Sequence, residues 1–420
     1  MSTFRALARF AALLYCILAL ILPNCEQLDK YNFLSQARFE YHLPLPLPGA
    51  DSLLAQSTFL AFIDWVNSLP DSSRKSAALD SFLAGQPNTE YPLIEGSNLA
   101  IFLAHASDQD ELAVTGDFSE WGFYPNPEMI HLSGTDLHYY VMPLPGDARL
   151  EYKLVVNDIQ QRDPHNSNST EWGDFSRNSV LMMPLYNEAP EIEEYDIPHG
   201  TVHSFAFTNQ ELGTVHQIAV YLPPDYSGES DPYPTVYFHD GPSYLINGRT
   251  PNIFDYLIHN QRIPPMIGVF IEPRNRDGEY FYSEHFMRII CDELVPYIDA
   301  EYHTSHAALD RAVIGFSKGG LAALYFVYMR PDVFGNCGAF SPAIHNADII
   351  AWYACSDPLE VRIYIDAGTF EPWLYEPTLT LAGHLEANGF DGRFFGWNEY
   401  HNISNWRAHL DEALIYFFGE

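Results

Sequence analysis

A serine stands in the short segment Gly315-Phe-Ser317-Lys-Gly319, with an apolar run before it and a run of helical spacing after it. A Gly-x-Ser-x-Gly turn between a strand and a helix is typical of hydrolytic serines, whose hydroxyl the sharp turn exposes. Small residues at both ends let the strand and the helix pass closely while the serine holds a strained backbone conformation. Backbone N–H groups at the start of the following helix can hold a negatively charged oxygen. The segment therefore predicts Ser317 as the nucleophile of an acyl-transfer reaction.

The general base is predicted near the end of the chain. An apolar strand pattern from Phe394 to Trp397 ends in a loop that contains His401, and an amphipathic helical pattern follows from Trp406. Serine first and histidine last, on a loop after the final strand, is the chain order of one large class of hydrolases. The chain contains 17 histidines, so position and order, rather than residue type, select His401. We expect His401 to take the proton of Ser317 and later to return it.

A carboxylate that orients the histidine should lie between these two residues and just beyond a strand. Val361, Ile363 and Ile365 alternate as in a strand, and Asp366 follows at its carboxyl end. Glu371, further along the loop, is the alternative acid. We favour Asp366 because of its place at the strand end. A Ser–His dyad assisted only by a carbonyl or a water is a third arrangement.

Several ordered motifs make residues 195–420 resemble the enterochelin esterase-like branch of the esterase D superfamily of α/β-hydrolases. They are Val215–Tyr226, Tyr233–Gly241, Arg276–Tyr280, Asp366–Glu371 and the spacing from His401 to Trp406 and Arg407. The resemblance implies a fold of the α/β class, an α/β-hydrolase domain with a mostly parallel sheet. It also implies a serine esterase that forms an acyl-enzyme, which water resolves, with no metal and no cofactor.

The oxyanion site departs from the pattern of the family. The amide of Lys318 is one expected donor, and the second donor in such enzymes usually follows the glycine that ends the neighbouring strand. Here that position is Pro242, which has no N–H. The loss of one donor costs about 3 kcal/mol of activation energy. We therefore expect Gly241 or Ser243 to supply the second donor, or a side-chain hydroxyl such as that of Ser243 or Tyr244.

Three further side chains are candidates for substrate binding, namely Tyr244, Arg276 and Glu279. For Tyr244 we keep two interpretations, an aromatic wall of the cleft and packing within the core. Arg276 and Glu279 resemble an Arg-x-x-Glu pair of the family. For these two residues we favour a structural ion pair over a role in the substrate cleft.

Residues 92–184 show short strand patterns separated by turn signals, as in an immunoglobulin-like β-sandwich. The turn Gly116-Asp-Phe-Ser-Glu-Trp121 and the phrase Tyr152-Lys153 resemble the glycogen-binding type of carbohydrate-binding module, which has an early-set immunoglobulin-like fold. The resemblance makes Trp121 and Lys153 candidates for glycan binding. The second stacking tryptophan of that family is replaced near Gln160, so we favour a structural accessory domain beside the active site.

The N-terminal part of the chain shows two patterns. Residues 1–24 combine a basic start with an apolar stretch of the length of a signal sequence, so we expect an exported protein, periplasmic or extracellular. Leu22-Pro-Asn-Cys25 loosely resembles a bacterial lipobox, and a lipid anchor at Cys25 is an alternative that would attach the protein to a membrane. Residues 26–91 place apolar side chains mainly at helical spacing and predict a helical extension.

The formal net charge is −34, with 55 acidic and 21 basic residues. Such a surface repels nucleic acid and anionic membranes, so neither is an expected partner. The cysteines after the signal segment have neither the number nor the spacing of a disulfide framework or a metal site. Cys337 with Cys355 is the pair that we consider, and buried free thiols are the alternative.

Together these patterns predict an exported serine esterase of the enterochelin esterase-like type, acting on a small-molecule or glycan-linked carboxylic ester. One alternative is a carbohydrate esterase that removes acetyl or feruloyl groups from polysaccharide. The other is a non-catalytic glycan-binding surface protein with a decayed hydrolase domain. The chain order of Ser317, Asp366 and His401 argues against decay.

Overall fold

The computed structural model describes residues 39–86, 91–170, 177–210, 213–344 and 348–419. The predicted signal segment, residues 1–24, and Cys25 lie outside these ranges, so export and lipidation stay predictions. Within the ranges described, no helix is both long and apolar enough to cross a membrane.

The secondary structure of these ranges is as follows. The strands are β1 Phe39–His42, β2 Leu93–Glu95, β3 Leu99–His105, β4 Leu112–Gly116, β5 Ile130–His131, β6 Leu137–Pro143, β7 Arg149–Val156, β8 Ile159–Gln161, β9 Ser179–Met182, β10 Thr201–Thr208, β11 Val215–Leu222, β12 Thr235–Phe238, β13 Ile267–Ile271, β14 Arg311–Phe316, β15 Asn336–Phe340, β16 Arg362–Gly368 and β17 Asp391–Trp397. The α-helices are α1 Ala50–Ala55, α2 Thr58–Asn67, α3 Ser72–Ala84, α4 Gly241–Ile246, α5 Thr250–His259, α6 Arg276–Tyr280, α7 Glu284–Arg288, α8 Val295–Glu301, α9 Lys318–Met329, α10 Ile349–Ala354, α11 Pro372–Ala387, α12 Ile403–Ala408 and α13 Leu410–Phe418. Shorter helical segments are Asp117–Gly122, Pro190–Ile192 and Ala308–Asp310, which are 3₁₀ turns, and the π-helical Ile289–Leu294.

A mixed sheet forms the larger part of the molecule, with its strands in the order β1-β17-β16-β15-β14-β12-β13-β11-β10. The strands from β1 to β13 in this order are parallel, β11 is antiparallel to β13, and β10 is antiparallel to β11. Successive residues of β14 belong to different apolar clusters, Val313 to one and Ile314 to the other. The sheet is therefore buried on both faces, as a parallel sheet with crossover helices must be.

The first strand of the described chain was not predicted. β1 lies at one edge of the sheet and pairs in parallel with β17, with Phe39 opposite Gly392. The segment 26–91, predicted as a helical extension, thus contributes a strand to the C-terminal sheet before its three helices begin. The sheet consequently contains residues from outside the predicted esterase region, 195–420.

The region between β2 and β9 folds as two small antiparallel sheets. One has the order β2-β3-β6-β5, and the other has the order β4-β7-β8 with β9 paired to β7. Both contribute to one apolar cluster, which contains Phe102 from β3, Leu150 from β7 and Leu181 from β9. The two sheets therefore form a β-sandwich around a common core, and its assignment to the early-set class stays a prediction.

Helices α2 and α3 pack against the sandwich sheet that contains β3. Phe59, Ile63 and Val66 of α2 and Leu79 of α3 are buried in one cluster with strand residues such as Leu103. The apolar side chains that recur at helical spacing in this segment therefore form one stripe that faces the sandwich.

The three cysteines in the described part of the chain are free thiols. Cys291 and Cys337 are buried, whereas Cys355 is exposed. Burial raises the pKa of the Cys291 thiol to about 12, which makes this group a poor nucleophile. The considered pairing of Cys337 with Cys355 is therefore wrong, and the alternative of free thiols holds.

Candidate active site

Ser317 lies at the carboxyl end of β14, immediately before the first residue of α9, Lys318. Its backbone has φ 54° and ψ −122°, a conformation that residues other than glycine rarely adopt. A Cβ atom at Gly315 would collide with the carbonyl oxygen of Gly319. The close crossing of strand and helix therefore requires glycine at position 315, and the strand–turn–helix geometry expected around Ser317 is present.

His401 lies in the loop between β17 and α12, with one ring nitrogen facing the serine. The distance from His401 Nε2 to Ser317 Oγ is 3.0 Å, a hydrogen-bond length. The His401 side chain is 18% exposed, so solvent and a ligand can reach it. The ring of Trp406 stands edge-on to the imidazole, with 4.9 Å between the ring centroids. The serine and the histidine are thus placed as a nucleophile and its base must be.

The carboxylate next to His401 belongs to Glu371, not to Asp366. Glu371 Oε2 accepts a hydrogen bond from His401 Nδ1 at 2.6 Å, and Glu371 is fully buried. Asp366 is buried as well, but its oxygens accept from the backbone N–H of Ser341 at 2.9 Å and from the hydroxyl of Tyr364 at 3.3 Å. Our preference for Asp366 as the orienting acid is therefore corrected in favour of the alternative, Glu371.

The reason for this correction is the length of β16. The strand continues to Gly368, so Asp366 still lies inside the sheet, paired in register with Phe340 and Phe395. Burial raises the pKa of Asp366 to about 7, because the interior of the sheet disfavours the charged form of this carboxyl. Glu371 follows the strand, in the loop at the carboxyl edge of the sheet where the serine and the histidine also lie.

A network holds the second oxygen of Glu371. Glu371 Oε1 accepts from Ser341 Oγ at 2.5 Å and from the backbone N–H of Gly368 at 2.7 Å. Ser341 Oγ in turn accepts from the indole N–H of Trp406 at 3.0 Å. The network fixes the carboxylate so that its other oxygen faces His401. Sequence reasoning missed Ser341, although its place directly after β15, at the same edge of the sheet, is a signal that could have found it.

The structure distinguishes the three backbone candidates for the oxyanion site. Lys318 is the first residue of α9, where N–H groups have no carbonyl partner within the helix. Gly241 holds the same position in α4. The N–H of Ser243 donates to the carbonyl of Asp240 at 2.9 Å, so this amide is already engaged. Lys318 and Gly241 therefore remain as the two backbone candidates.

Tyr244 belongs to the core rather than to a substrate wall. It is fully buried, and its ring packs against Phe238 and Phe316. Burial raises the pKa of its hydroxyl well above the ordinary value. Of the two interpretations of Tyr244, core packing is therefore the one that the structure supports, and its assignment to substrate binding is corrected.

Arg276 and Glu279 do not pair with each other. Arg276 donates to both carboxylate oxygens of Asp240, with Nη2 2.7 Å from Oδ2, while Glu279 Oε1 lies 3.1 Å from His216 Nε2. The Arg276–Asp240 pair lies beside the serine turn. The distance shows this, since a Cβ atom added at Gly319 would be only 3.2 Å from Asp240 Oδ2. The expected Arg276–Glu279 ion pair is wrong, and both side chains instead have other structural partners.

Trp121 and Lys153 lie together in the sandwich but do not form an open glycan-binding pair. Lys153 is 2% exposed, and its Nζ lies 5.9 Å from the centroid of the Trp121 ring. The indole N–H of Trp121 donates to Asp117 at 2.9 Å. The large exposed side chains of this turn are instead Phe123 and Tyr124. The geometry therefore favours a structural role for Trp121 and Lys153.

An aromatic side chain that sequence reasoning did not single out borders His401. Trp373, near the start of α11, has its ring centroid 5.4 Å from that of the imidazole, and it is 38% exposed. Exposed indole faces stack on planar groups. Trp373 is therefore a candidate contact for a flat part of a substrate.

A serine, a histidine and a carboxylate hydrogen-bonded in series at the carboxyl edge of a mostly parallel sheet are the features of an α/β-hydrolase. Comparison with known proteins narrows this class. Residues 209–417 match the family model described as "Putative esterase", so this region of the chain belongs to that family. The matched region is thus an esterase domain.

Individual relatives agree with the family. The chain is 24% identical over 389 residues to an endo-1,4-beta-xylanase/feruloyl esterase of Xylanibacter ruminicola, a match that covers 89% of this chain and only 52% of the relative. It is 24% identical over 301 residues to the iron(III) enterobactin esterase of Escherichia coli K12, covering 66% of this chain and 72% of the relative. The crystal structure of the enterobactin esterase from Shigella flexneri matches with a TM-score of 0.66 over 80% of this chain and 97% of that chain, at 18% identity. The predicted α/β-hydrolase fold of the enterochelin esterase type is confirmed.

Proposed function

We propose that this protein is an esterase that hydrolyses its substrate through an acyl-enzyme formed on Ser317. One observation carries the proposal, namely the unbroken series of hydrogen bonds from Ser317 Oγ to His401 Nε2 (3.0 Å) and from His401 Nδ1 to Glu371 Oε2 (2.6 Å). Each member has the place that its role requires. The serine sits on a strained turn, the base is within reach, and a buried acceptor lies behind the base.

In the first half-reaction, Ser317 Oγ attacks the carbonyl carbon of the ester while His401 Nε2 takes the hydroxyl proton. Glu371 stabilises the imidazolium that forms, because its carboxylate already accepts from Nδ1–H. The N–H groups of Lys318 and Gly241 stabilise the negative charge on the carbonyl oxygen. The bond to the alcohol oxygen then breaks, and His401 gives its proton to the departing alcohol.

In the second half-reaction, water takes the place of the alcohol. His401 removes a proton from the water as its oxygen bonds to the acyl carbon, and the bond to Ser317 Oγ then breaks. The serine regains a proton from His401, and the carboxylic acid leaves. One ester and one water thus give one alcohol and one acid, and the side chains return to their starting state.

For the substrate we propose, as the more specific candidate, an ester between an aromatic acid and a glycan. Trp373 supports an aromatic acyl group, since its exposed ring lies beside His401. The relative named as a xylanase/feruloyl esterase aligns with 89% of this chain, which is more than residues 195–420 alone. The net charge of −34 disfavours an anionic substrate such as a ferric catecholate, the kind of ester that a part of the family suggests.

A fluorophosphonate probe tests the acyl-enzyme proposal, because it reacts with an activated serine. We expect the wild-type chain to be labelled on Ser317, and Ser317→Ala to resist labelling. Labelling of Ser317→Ala at the wild-type rate, or an unlabelled but folded wild-type chain, would contradict the proposal. The non-catalytic alternative gives that second result.

A comparison of two esters tests the aromatic substrate. We expect Trp373→Ala to lower kcat/KM for methyl ferulate about tenfold, the loss of roughly one stacking contact, while kcat/KM for p-nitrophenyl acetate changes little. An equal loss for both esters would assign Trp373 a general role beside His401 instead.

Unchanged migration of the full chain in native gels with glycogen would argue against the glycan-binding alternative.

Export stays our proposal from the pattern of residues 1–24. The test is expression of the full chain in a bacterium, followed by fractionation and mass determination. A processed product outside the cytoplasm is the expected result, and an unprocessed product retained in the cytoplasm would contradict it.

A further inference from the structure

The loop that carries His401 is bonded to the sandwich as well as to its own sheet. This segment, residues 398–405, leads from β17 into α12 and is called the histidine loop below. At its start, Asn398 Nδ2 donates to Asp147 Oδ1 at 2.6 Å, and the Asn398 carbonyl accepts from the backbone N–H of Arg149 at 3.2 Å. The sandwich therefore fixes the point at which the chain leaves β17.

A second bond fixes the other end of the histidine loop. Ser404 Oγ donates to Glu151 Oε1 at 2.7 Å, and both residues are 2% exposed. Ser404 belongs to the first turn of α12, whose N-cap residue, Asn402, accepts from the N–H of Asn405 at 3.1 Å. His401 thus lies between two points that sandwich residues hold.

Glu151 is itself rigidly held. Its second oxygen, Oε2, accepts from Asn178 Nδ2 at 2.8 Å, and Arg149 Nη1 lies 3.5 Å from Oε1. The backbone N–H of Glu151 donates to Asp117 Oδ2 at 2.7 Å. A buried carboxylate is costly unless charge and hydrogen bonds compensate it. The position of its oxygens, and with it that of Ser404, is therefore tightly determined.

A shift of Ser404 would change the contacts on both sides of the His401 imidazole. Trp406, in the same short helix, stands edge-on to His401 and donates to Ser341, which in turn holds Glu371. The bond to Glu151 therefore supports the histidine and, through Trp406, its carboxylate partner.

We propose that Glu151 of the sandwich is a positioning residue for His401. By holding Ser404, it keeps His401 Nε2 within hydrogen-bond distance of Ser317 Oγ. The proposal rests on the proposed function, since it requires His401 to be the base. It gives the sandwich a part in the reaction that is independent of glycan binding.

The test is a double-mutant cycle on the full chain with p-nitrophenyl acetate, a substrate too small to need an extended binding surface. We expect Ser404→Ala and Glu151→Gln each to lower kcat about 10- to 100-fold, because a misplacement of about 1 Å costs up to about 100-fold. KM should stay within about twofold, since the binding of the small ester is not disturbed. The kcat of the double variant should be no lower than that of the less active single variant, because both substitutions remove the same bond.

Two further variants and one reference complete the design. Ser404→Thr keeps a hydroxyl and should recover most of the kcat that Ser404→Ala loses. Glu111→Gln, an exposed carboxylate elsewhere in the sandwich, should behave as wild type. Thermal unfolding is measured for each variant. If Glu151→Gln fails to fold, Ser404→Ala decides the question, because it removes a single oxygen atom.

The outcomes separate the two proposals. If Ser317→Ala is inactive while a folded Ser404→Ala has wild-type kcat, the positioning role is overturned and the acyl-enzyme stands. If kcat falls only in proportion to the unfolded fraction, or the two single effects multiply in the double variant, the positioning role is overturned as well. If Ser317→Ala keeps full activity, the acyl-enzyme proposal itself fails.

Discussion

The serine turn and the histidine loop are in contact, with Ser317 Oγ 3.0 Å from His401 Nε2, but their shapes have different origins. The serine turn, residues 315–319, is determined locally by a buried strand, a glycine that the crossing requires and the start of a helix. The histidine loop is determined by residues far away in the chain. Glu371 lies in the loop after β16, and Glu151 lies in the sandwich.

This difference indicates which parts of such a site tolerate change. Substitution of a glycine in the serine turn acts through the backbone, so its effect should appear as lost stability together with lost activity. A substitution around the histidine loop acts through side-chain contacts, so activity should fall while the fold persists. The predictions below separate these two behaviours.

Removal of either partner of the 3.0 Å contact should have the largest effect. We expect Ser317→Ala and His401→Ala each to lower kcat about 10⁵- to 10⁶-fold, and the double variant to be little worse, because the members act as a unit. Initial rates with p-nitrophenyl acetate measure the loss, and circular dichroism checks the fold. Multiplying losses in the double variant would show that the two side chains act independently.

Substitution of Asp366 and substitution of Glu371 should have very different effects on kcat. Glu371→Gln is expected to lower kcat about 10⁴-fold, because the imidazole loses its orienting acceptor. Asp366→Asn should stay within about tenfold of wild type, since Asp366 does not contact His401 and an amide oxygen can still accept from Ser341. The same kinetic assay compares them. The reverse ranking would restore Asp366 as the acid, and two small effects would indicate a dyad.

Two glycine substitutions test the local origin of the serine turn. Gly315→Ala should lower the free energy of unfolding by about 1–3 kcal/mol, because its Cβ would strike the Gly319 carbonyl. Gly383→Ala in α11 is the matched control, since a Cβ there meets no atom within 4 Å. In a helix this change should raise stability by about 0.5–1 kcal/mol. Urea unfolding measures both, and equal effects would refute the steric explanation.

The pH dependence of stability should identify Asp366 as a buried titrating group. Its pKa is raised from the ordinary 3.8 to about 7, so the folded chain keeps a proton that the unfolded chain releases between these values. The stability that this proton contributes is complete below about pH 4 and is lost as the pH rises through about 7. An asparagine at this position would not titrate in this way.

The free energy of unfolding of Asp366→Asn should therefore exceed that of wild type at pH 8 by on the order of 4 kcal/mol and approach it near pH 4. Urea unfolding at pH 4, 6 and 8 measures the difference between the two proteins. Asp411, whose pKa burial raises to about 8, titrates in both chains and so cancels from the comparison. A difference that does not vary with pH would show that Asp366 has the same pKa in the folded and the unfolded chain.

The sequence predicted best what local patterns determine. Ser317 followed from its turn, and His401 followed from chain order after a recognisable strand. Asp366 was preferred because the alternation of apolar residues ended just before it. The strand β16 nevertheless continues to Gly368 through residues that carry no strand pattern. Strand ends depend on pairing with neighbours, which a single sequence does not display. Ser341 was missed for a similar reason, because its bond to Glu371 crosses between loops that follow adjacent strands.

The domains show the same limit. The sandwich strands and the helices that pack on them were predicted from periodicity, whereas β1 was not, because four residues are too few to establish a pattern. Its place next to β17 depends entirely on a partner at the other end of the chain. The hydrogen bond from Ser404 to Glu151 could not be predicted from the sequence either, since nothing near either residue indicates the other.

The pairing of β1 with β17 also governs the order of events during synthesis of the chain. Asn398 Nδ2 donates to the carbonyl of Leu45, 353 residues earlier, so this edge of the sheet cannot close until β17 and Asn398 have left the ribosome. At about 5–20 residues per second, this interval lasts roughly 20 to 70 seconds. The nascent sandwich and its attached helices have that time to fold first. A chain released before β17 emerges would keep β1 without its partner strand, an open edge that proteases and chaperones can recognise.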